Sequence, residues 1–482
     1  MSQYWEGRFS SFSPTDYRYS VEDLRPYLTE EAFVKYKAKV EGALAKVLAK
    51  RGFVSEQIAN EIIQATCAIT AEQVYEEEKR IKHDIRALVN CIRNKVSDEA
   101  KPYVHLFATS YDIVDTANAL RYKDATFEVI LPDMLKLEKI WMELALRHKD
   151  SLQIGRTHGQ HAEPITFGFA LALYVDRWGD RILKLKEVTE NLAGKFSGAV
   201  GTYNASSLFF DDPEEFEREI LYELGLKPVR ISTQVIPPEP LADFIHIITS
   251  SFGVLANFAD DMRHLQRSEI AEIGETLEAS QVGSSTMPQK RNPINFENVK
   301  SMWKAFMPRM VTIYMDQISE HQRDLTNSCS QRYLPELLVG FSSSIRRMVN
   351  VSARLQVDKA NMLKNFRMSE SLIIAEPLYI LLASLGHLDA HEYVRRLTMD
   401  SIKNNRPLCD VVTQDPNLKP YLEKLSNLQK EIIFAPAKYI GISPQKVEKI
   451  ISLWQDKLKE IAEHVTEKNR RVKMEQDNAE SK

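Results

Sequence analysis

Residues 283–293 read Gly-Ser-Ser-Thr-Met-Pro-Gln-Lys-Arg-Asn-Pro, placing three hydroxyls and two cations between a glycine and a proline. Gly283 permits unusual backbone angles, while Pro288 and Pro293 restrict their surroundings. A loop so composed can close over an anionic substrate and complete its site. Read alone, it is equally a solvated basic turn. It is not a phosphate-binding P-loop, because Lys290 is followed by Arg-Asn and the second glycine is missing.

A second run, residues 155–168, reads Gly-Arg-Thr-His-Gly-Gln-His-Ala-Glu-Pro-Ile-Thr-Phe-Gly and stands just before a long apolar stretch. Its histidines, His158 and His161, could ligate a metal or handle protons near neutral pH. No third metal ligand stands at a recognisable spacing. His387 and His391 also hint at metal, although an inter-helix turn is the plainer reading. Lys82-His83-Asp84 falls in a helical pattern with charged neighbours and reads as an exposed face. Thr109-Ser110-Tyr111-Asp112 suits either a binding site or a helix N-cap. Arg323, Ser328 and Arg332 lie within ten residues, so they could clamp a phosphate or form a surface ion-pair cluster.

These segments need a scaffold. Of 482 residues, 44% are hydrophobic and 27% charged, the balance of a soluble globular chain. With 63 basic and 67 acidic residues the formal net charge is −4, which gives no global attraction to nucleic acid or to an anionic membrane. The four cysteines lie far apart, and 17 glycines are too few for frequent β-turns. A cytoplasmic, reducing location is expected, since no signal-like N-terminus and no membrane-length apolar run stand out.

Apolar residues recur at helical spacing over 28–51, twice within 56–95, and again over 98–122, 127–149, 166–194, 239–268, 296–319 and 335–364. The pattern predicts an all-α protein: a helical N-terminal domain over 1–113, a central long-helix bundle over 114–365, and a smaller C-terminal helical domain over 366–482 whose tail frays from about 467. The connections at 104–112, 151–165, 197–212, 229–240, 275–295 and 320–335 read as irregular loops on this scaffold. Several helices carry more apolar surface than one bundle covers, which favours association of copies.

Together the motifs resemble the fumarase/aspartase superfamily, whose members eliminate across a C–N or C–O bond to release fumarate. GSSTMPQKRNP is similar to its signature loop. The 155–168 run, with KHD at 82–84, TSYD at 109–112, GAVGTY at 198–203, QRDLTNS at 322–328 and Ser13–Tyr19, resembles the adenylosuccinate lyase family within it. Two departures stand out: Val-Ile-Pro-Pro-Glu-Pro at 235–240, where many relatives carry charged residues or His, and Gln289, where many carry His. The second is a feature shared with argininosuccinate lyases, the nearest alternative.

The resemblance implies three all-helical domains and a homotetramer whose active sites draw on several subunits. It implies no metal and no organic cofactor, and a purine nucleotide as the small-molecule substrate. The reaction removes fumarate from adenylosuccinate and from succinylaminoimidazole carboxamide ribotide, both steps of purine synthesis. By the same resemblance Ser284 is the base, His158 the general acid and Glu297 the residue that orients it. His83 contacts substrate and is a second candidate for proton handling, with Asp84 beside it. Lys290 and Asn292 hold the succinyl carboxylates. Thr109, Ser110, Thr157 and Gln234 contact the succinyl or base moiety, and Arg18, Tyr19, Arg323, Ser328 and Arg332 the phosphate.

Overall fold

The computed structural model describes residues 11–276 and 285–480, with side chains to residue 463. Helices dominate, as the apolar periodicity requires. Helix α1 spans Glu30–Lys50 and ends before Gly52. The 56–95 stretch forms three helices instead of two: Glu56–Cys67, α2 (Ala71–Ile81) and α3 (Asp84–Arg93). The extra break falls at Lys82, which takes a left-handed φ of 59°, and His83 then caps α3.

The long helix α4 (Ser110–Ala125) runs through a π-helical turn, Thr126–Ile130, into α5 (Leu131–Arg147). Pro132 in the first turn of α5 has no N–H to donate, and the wider turn lies just ahead of it. Helix α6 (Phe167–Glu190), helix α7 (Glu239–Leu265), helix α8 (Ile294–Phe306) and helix α9 (Arg309–Met315) follow, then α10 (Leu334–Ala353). Two long patterns are therefore interrupted. Pro308 divides 296–319 into α8 and α9. The 335–364 stretch breaks after Ala353, because Gln356–Val357 pairs with Ile273–Gly274, and Asp358 caps α11 (Lys359–Arg367).

The main core runs continuously from Val21 to Met362. At its centre Trp141 stacks on Phe258 with ring centroids 4.4 Å apart, and the Trp178 indole donates to the Met134 carbonyl at 3.0 Å. Among the described residues, α7 alone is long and apolar enough to cross a membrane. Its Phe244, Ile245, Ile248, Phe252 and Leu255 are wholly buried inside this bundle.

A second, smaller core joins Ile374, Leu378, Leu382, Val394, Leu408, Val412, Leu418 and Ile433. The last helix, α12 (Ser443–Glu480), leaves it and returns Val447, Ile451, Trp454, Leu458 and Ile461 to the main core. It stays helical beyond residue 467, where the charged sequence contains no apolar repeat.

The 151–165 segment, expected as an irregular loop, is an antiparallel hairpin of β1 (Leu152–Thr157) and β2 (Gln160–Thr166). Its two-residue turn is His158-Gly159, with φ of 54° and 74°. Both central residues have the positive φ that matches the twist of paired strands.

Candidate active site

The first cluster lies between α1, α3, α4 and the 320–335 segment. His83, Asp84, Ser110, Gln234, Ser328 and Arg332, from four separate segments, line one cleft of about 760 Å³. That volume lies within the range of roughly 300–1,000 Å³ typical of small-molecule sites. Asp16, Lys82 and Arg121 are among the other polar residues that line it, with Glu30 and Glu78. Among the described residues no carboxylate pairs with the Arg332 guanidinium.

Local chemistry explains how each wall is held. His83 Nδ1 accepts from the Arg86 backbone N–H at 3.2 Å, so the ring serves as N-cap of α3 and shows its remaining edge to the cleft. Thr109 caps α4 in a capping box with Asp112, whose Oδ2 accepts from the Thr109 N–H at 2.8 Å. That cap presents Ser110 to the cleft.

The other oxygen of Asp112 gathers the 195–198 loop. It accepts from the backbone N–H of Ser197 at 3.1 Å and of Gly198 at 3.3 Å, and pairs with the Lys195 ammonium, both side chains wholly buried. Burial pushes the Asp112 carboxyl above the ordinary carboxylate range, against the pull of Lys195. Further back, His105 Nδ1 meets Glu41 Oε1 at 2.6 Å, and the Glu41 carboxylate beside the ring raises the imidazole against its burial. His105 and Phe107 both carry positive φ, of 65° and 66°. The strained segment leading to Thr109 is thus anchored at its base.

The second cluster is the hairpin tip, where Thr157 and His158 are exposed. The third lies beside the signature loop. Lys290, Asn292 and Glu297 line a wide cleft with Arg263, Gln266 and Lys359. Glu275 draws the two ends of that loop together: its carboxylate accepts from the backbone N–H of Asn295 at 2.9 Å and of Phe296 at 3.0 Å, and from the Asn295 amide at 2.6 Å. Ser284, the expected base, lies outside the described residues, as does Gly283.

Three expected phosphate contacts fall elsewhere. Arg323 lines a smaller neighbouring cavity with Tyr111, Asp115 and Val235–Pro238. Its guanidinium lies 3.8 Å from the Tyr111 ring centroid and donates to Asn327 at 2.9 Å. Tyr19 is half-buried and accepts from Asn298 at 3.4 Å, while Arg18 is exposed beyond a short helix, Pro14–Tyr17. Glu297 lines the third cleft, whose walls do not include His158.

Sequence reading missed Lys195, Glu41, His105 and Glu275, and the hold of Asp112 on the 195–198 loop. These partners stand 20 to 86 residues away, so no local spacing announces them. Among the described residues no three His, Cys, Asp or Glu side chains gather as metal ligands would. His387 instead packs between the rings of Tyr393 and Tyr421, in a turn between helices.

Known proteins resemble this chain over most of its length. A family described as lyase matches residues 3–306, and one described as adenylosuccinate lyase C-terminal matches residues 319–433. The adenylosuccinate lyase of Pyrococcus abyssi is 38% identical over 447 residues, covering 91% of this chain and 97% of the relative. The N-acetyl-S-(2-succino)cysteine lyase of Enterococcus italicus is 30% identical, covering 91% and 96%. A crystal structure of a fumarate lyase from Mesorhizobium sp. BNC1 superposes with a TM-score of 0.79 at 23% identity, covering 90% of this chain and 98% of that one. At that identity the likeness speaks for the fold.

Proposed function

The chain belongs to the adenylosuccinate lyase family, and on that premise we propose how its residues carry out the elimination of fumarate from adenylosuccinate to leave AMP. The observation that carries this reading is the first cleft. Six side chains expected around the nucleotide and succinyl groups converge there from segments spread over 250 residues.

Arg332 and Ser328 supply donors for the phosphate dianion. Ser110, Gln234 and His83 contact the base and succinyl portions, with Asp84 beside His83. Thr109 acts by capping the helix that presents Ser110. Lys290 and Asn292 take the succinyl carboxylates when the signature loop closes. Ser284 then removes the proton from the carbon next to a carboxylate, and the electron pair moves into that carboxylate, where Lys290 stabilises the added charge. The C–N bond breaks as the electrons return, forming the double bond of fumarate. His158 protonates the departing N6, held in orientation by Glu297. The same steps serve succinylaminoimidazole carboxamide ribotide.

We assign Arg18, Tyr19 and Thr157 to contacts made across subunits, and Arg323 to a phosphate contact made after it leaves Tyr111. Two observations support an assembly with shared sites, in a homotetramer. The three clusters are separate within one chain. In addition, Met307, Val311, Tyr314, Met315 and Ile318 form an exposed apolar stripe at helical spacing along α9 and its flanks, with Ile318 82% exposed. The four unpaired cysteines accord with a cytoplasmic setting.

The test is direct. Purified protein is offered adenylosuccinate, argininosuccinate and N-acetyl-S-(2-succino)cysteine, and fumarate release is followed. Turnover of adenylosuccinate should exceed the others by orders of magnitude. Release from either rival alone would overturn the assignment.

A further inference from the structure

We propose that Glu272, acting through Arg156, is a positioning residue that fixes the hairpin carrying His158. This rests on the reading of His158 as the general acid. Glu272 is wholly buried between α7 and the short strand Ile273–Gly274. Its Oε1 accepts from Arg156 Nη2 at 2.7 Å and from Asn365 Nδ2 at 2.9 Å, and its Oε2 accepts from Gln153 Nε2 at 2.7 Å. Its backbone N–H donates to the Leu265 carbonyl at 3.0 Å, and its carbonyl accepts from the Asp358 N–H at 2.8 Å. The carboxylate therefore ties β1 to α11, and the backbone of the same residue ties both to the end of α7.

Arg156 stands two residues before His158, on the strand that leads into the turn. Between Ile154 and Arg156 the register with β2 slips by one residue. A Cβ on Gly155 would lie 2.7 Å from the Glu163 carbonyl oxygen, so glycine is required where the slip bends the ribbon. Across the hairpin, His161 Nδ1 meets Ser369 Oγ at 2.8 Å. The exposed tip can be aimed only as well as this root is held. A buried ion pair contributes little net stability over an apolar pair of the same shape, so its presence points to a geometric role. Displacing a reacting group by about 1 Å can lower the rate roughly a hundredfold.

The experiment compares Glu272→Gln, Arg156→Met, Arg156→Lys and His158→Gln with the parent enzyme on adenylosuccinate. Circular dichroism and thermal unfolding check the fold. Expected is a fall in kcat of about tenfold or more in Glu272→Gln and Arg156→Met, with KM within about threefold, because the nucleotide cleft is untouched. Arg156→Lys, which keeps a cation for Glu272, should recover part of the loss. Should Glu272→Gln fail to fold, Arg156→Met carries the test, since Arg156 lies at the edge of the buried network. Folded Arg156→Met with parental kcat overturns the proposal. So does a loss that tracks only the unfolded fraction, or one that Arg156→Lys does not relieve. Near-normal turnover in His158→Gln would remove the general-acid reading instead, whatever Arg156→Met does.

Discussion

His158 occupies the first position of a two-residue turn, with a backbone angle that costs most L-residues about 1–2 kcal/mol. Asparagine tolerates this angle well. The variant His158→Asn should therefore keep its melting temperature while kcat falls by about a hundredfold or more, the usual contribution of a general acid. Parental turnover would exclude the imidazole from proton transfer. Asp115 offers a test through pH. Burial pushes its carboxyl up to about 6, although it accepts from the Ile236 N–H at 3.0 Å. An unfolded aspartate titrates near 3.9. The folded chain thus holds an extra proton between about pH 4 and 6, and stability falls as pH rises through that window. Asp115→Asn should lose that slope and gain up to about 3 kcal/mol at pH 7. Urea midpoints at pH 4.5 and 7 decide it; an unchanged slope in the variant refutes the assignment. At this scale the motifs announced His83, Ser110, Ser328 and Arg332 through resemblance. Arg323 lies outside the cleft that holds these four, which spacing cannot reveal, because its guanidinium stacks on Tyr111.

Among the elements, long helices were the most legible. Helices α1, α6 and α7 lie within a few residues of the apolar repeats, because each buries a broad face in one core. The breaks were harder to see. Pro308 stands openly in the sequence, but the break after Ala353 depends on a strand pairing with Ile273 and Gly274, more than 80 positions earlier. The hairpin was hidden for a similar reason: its alternation is short, and His-Gly is an uncommon form of the turn that Asn-Gly usually makes. The capping box of α4 could be read from Thr109 and Asp112, whereas the second duty of Asp112 toward Lys195 and the 197–198 backbone could not. Removing one partner of that buried pair leaves the other uncompensated. Asp112→Ala should lower stability by about 3–5 kcal/mol and raise KM through the loosened Ser110 cap. Chemical denaturation with initial-rate kinetics measures both, and parental values for both would show the pair to be idle.

For the molecule as a whole, the separation of the three clusters leads to a mixing experiment. Ser284→Ala and His158→Ala are each expected to be inactive as pure proteins. Mixed under conditions of proven subunit exchange, they should regain a measurable fraction of parental activity, because some sites draw an intact serine from one chain and an intact histidine from another. No recovery would mean that each chain builds its own site. The apolar stripe gives an independent check. Ile318→Glu should shift the sedimentation coefficient toward smaller species and reduce activity with it, while an unchanged profile would locate the contact elsewhere.

The return of α12 to the main core has a consequence for how the protein is made. Val447, Ile451, Trp454, Leu458 and Ile461 close over α5 and α6, which are translated some 300 residues earlier. At about 2 kcal/mol for each buried side chain, they contribute roughly 10 kcal/mol, comparable with the whole margin of a typical domain. The bundle must therefore wait, partly open, until residues 447–461 have emerged from the ribosome. Messages cut short before residue 443 should yield chains that aggregate or are degraded, however complete their catalytic segments.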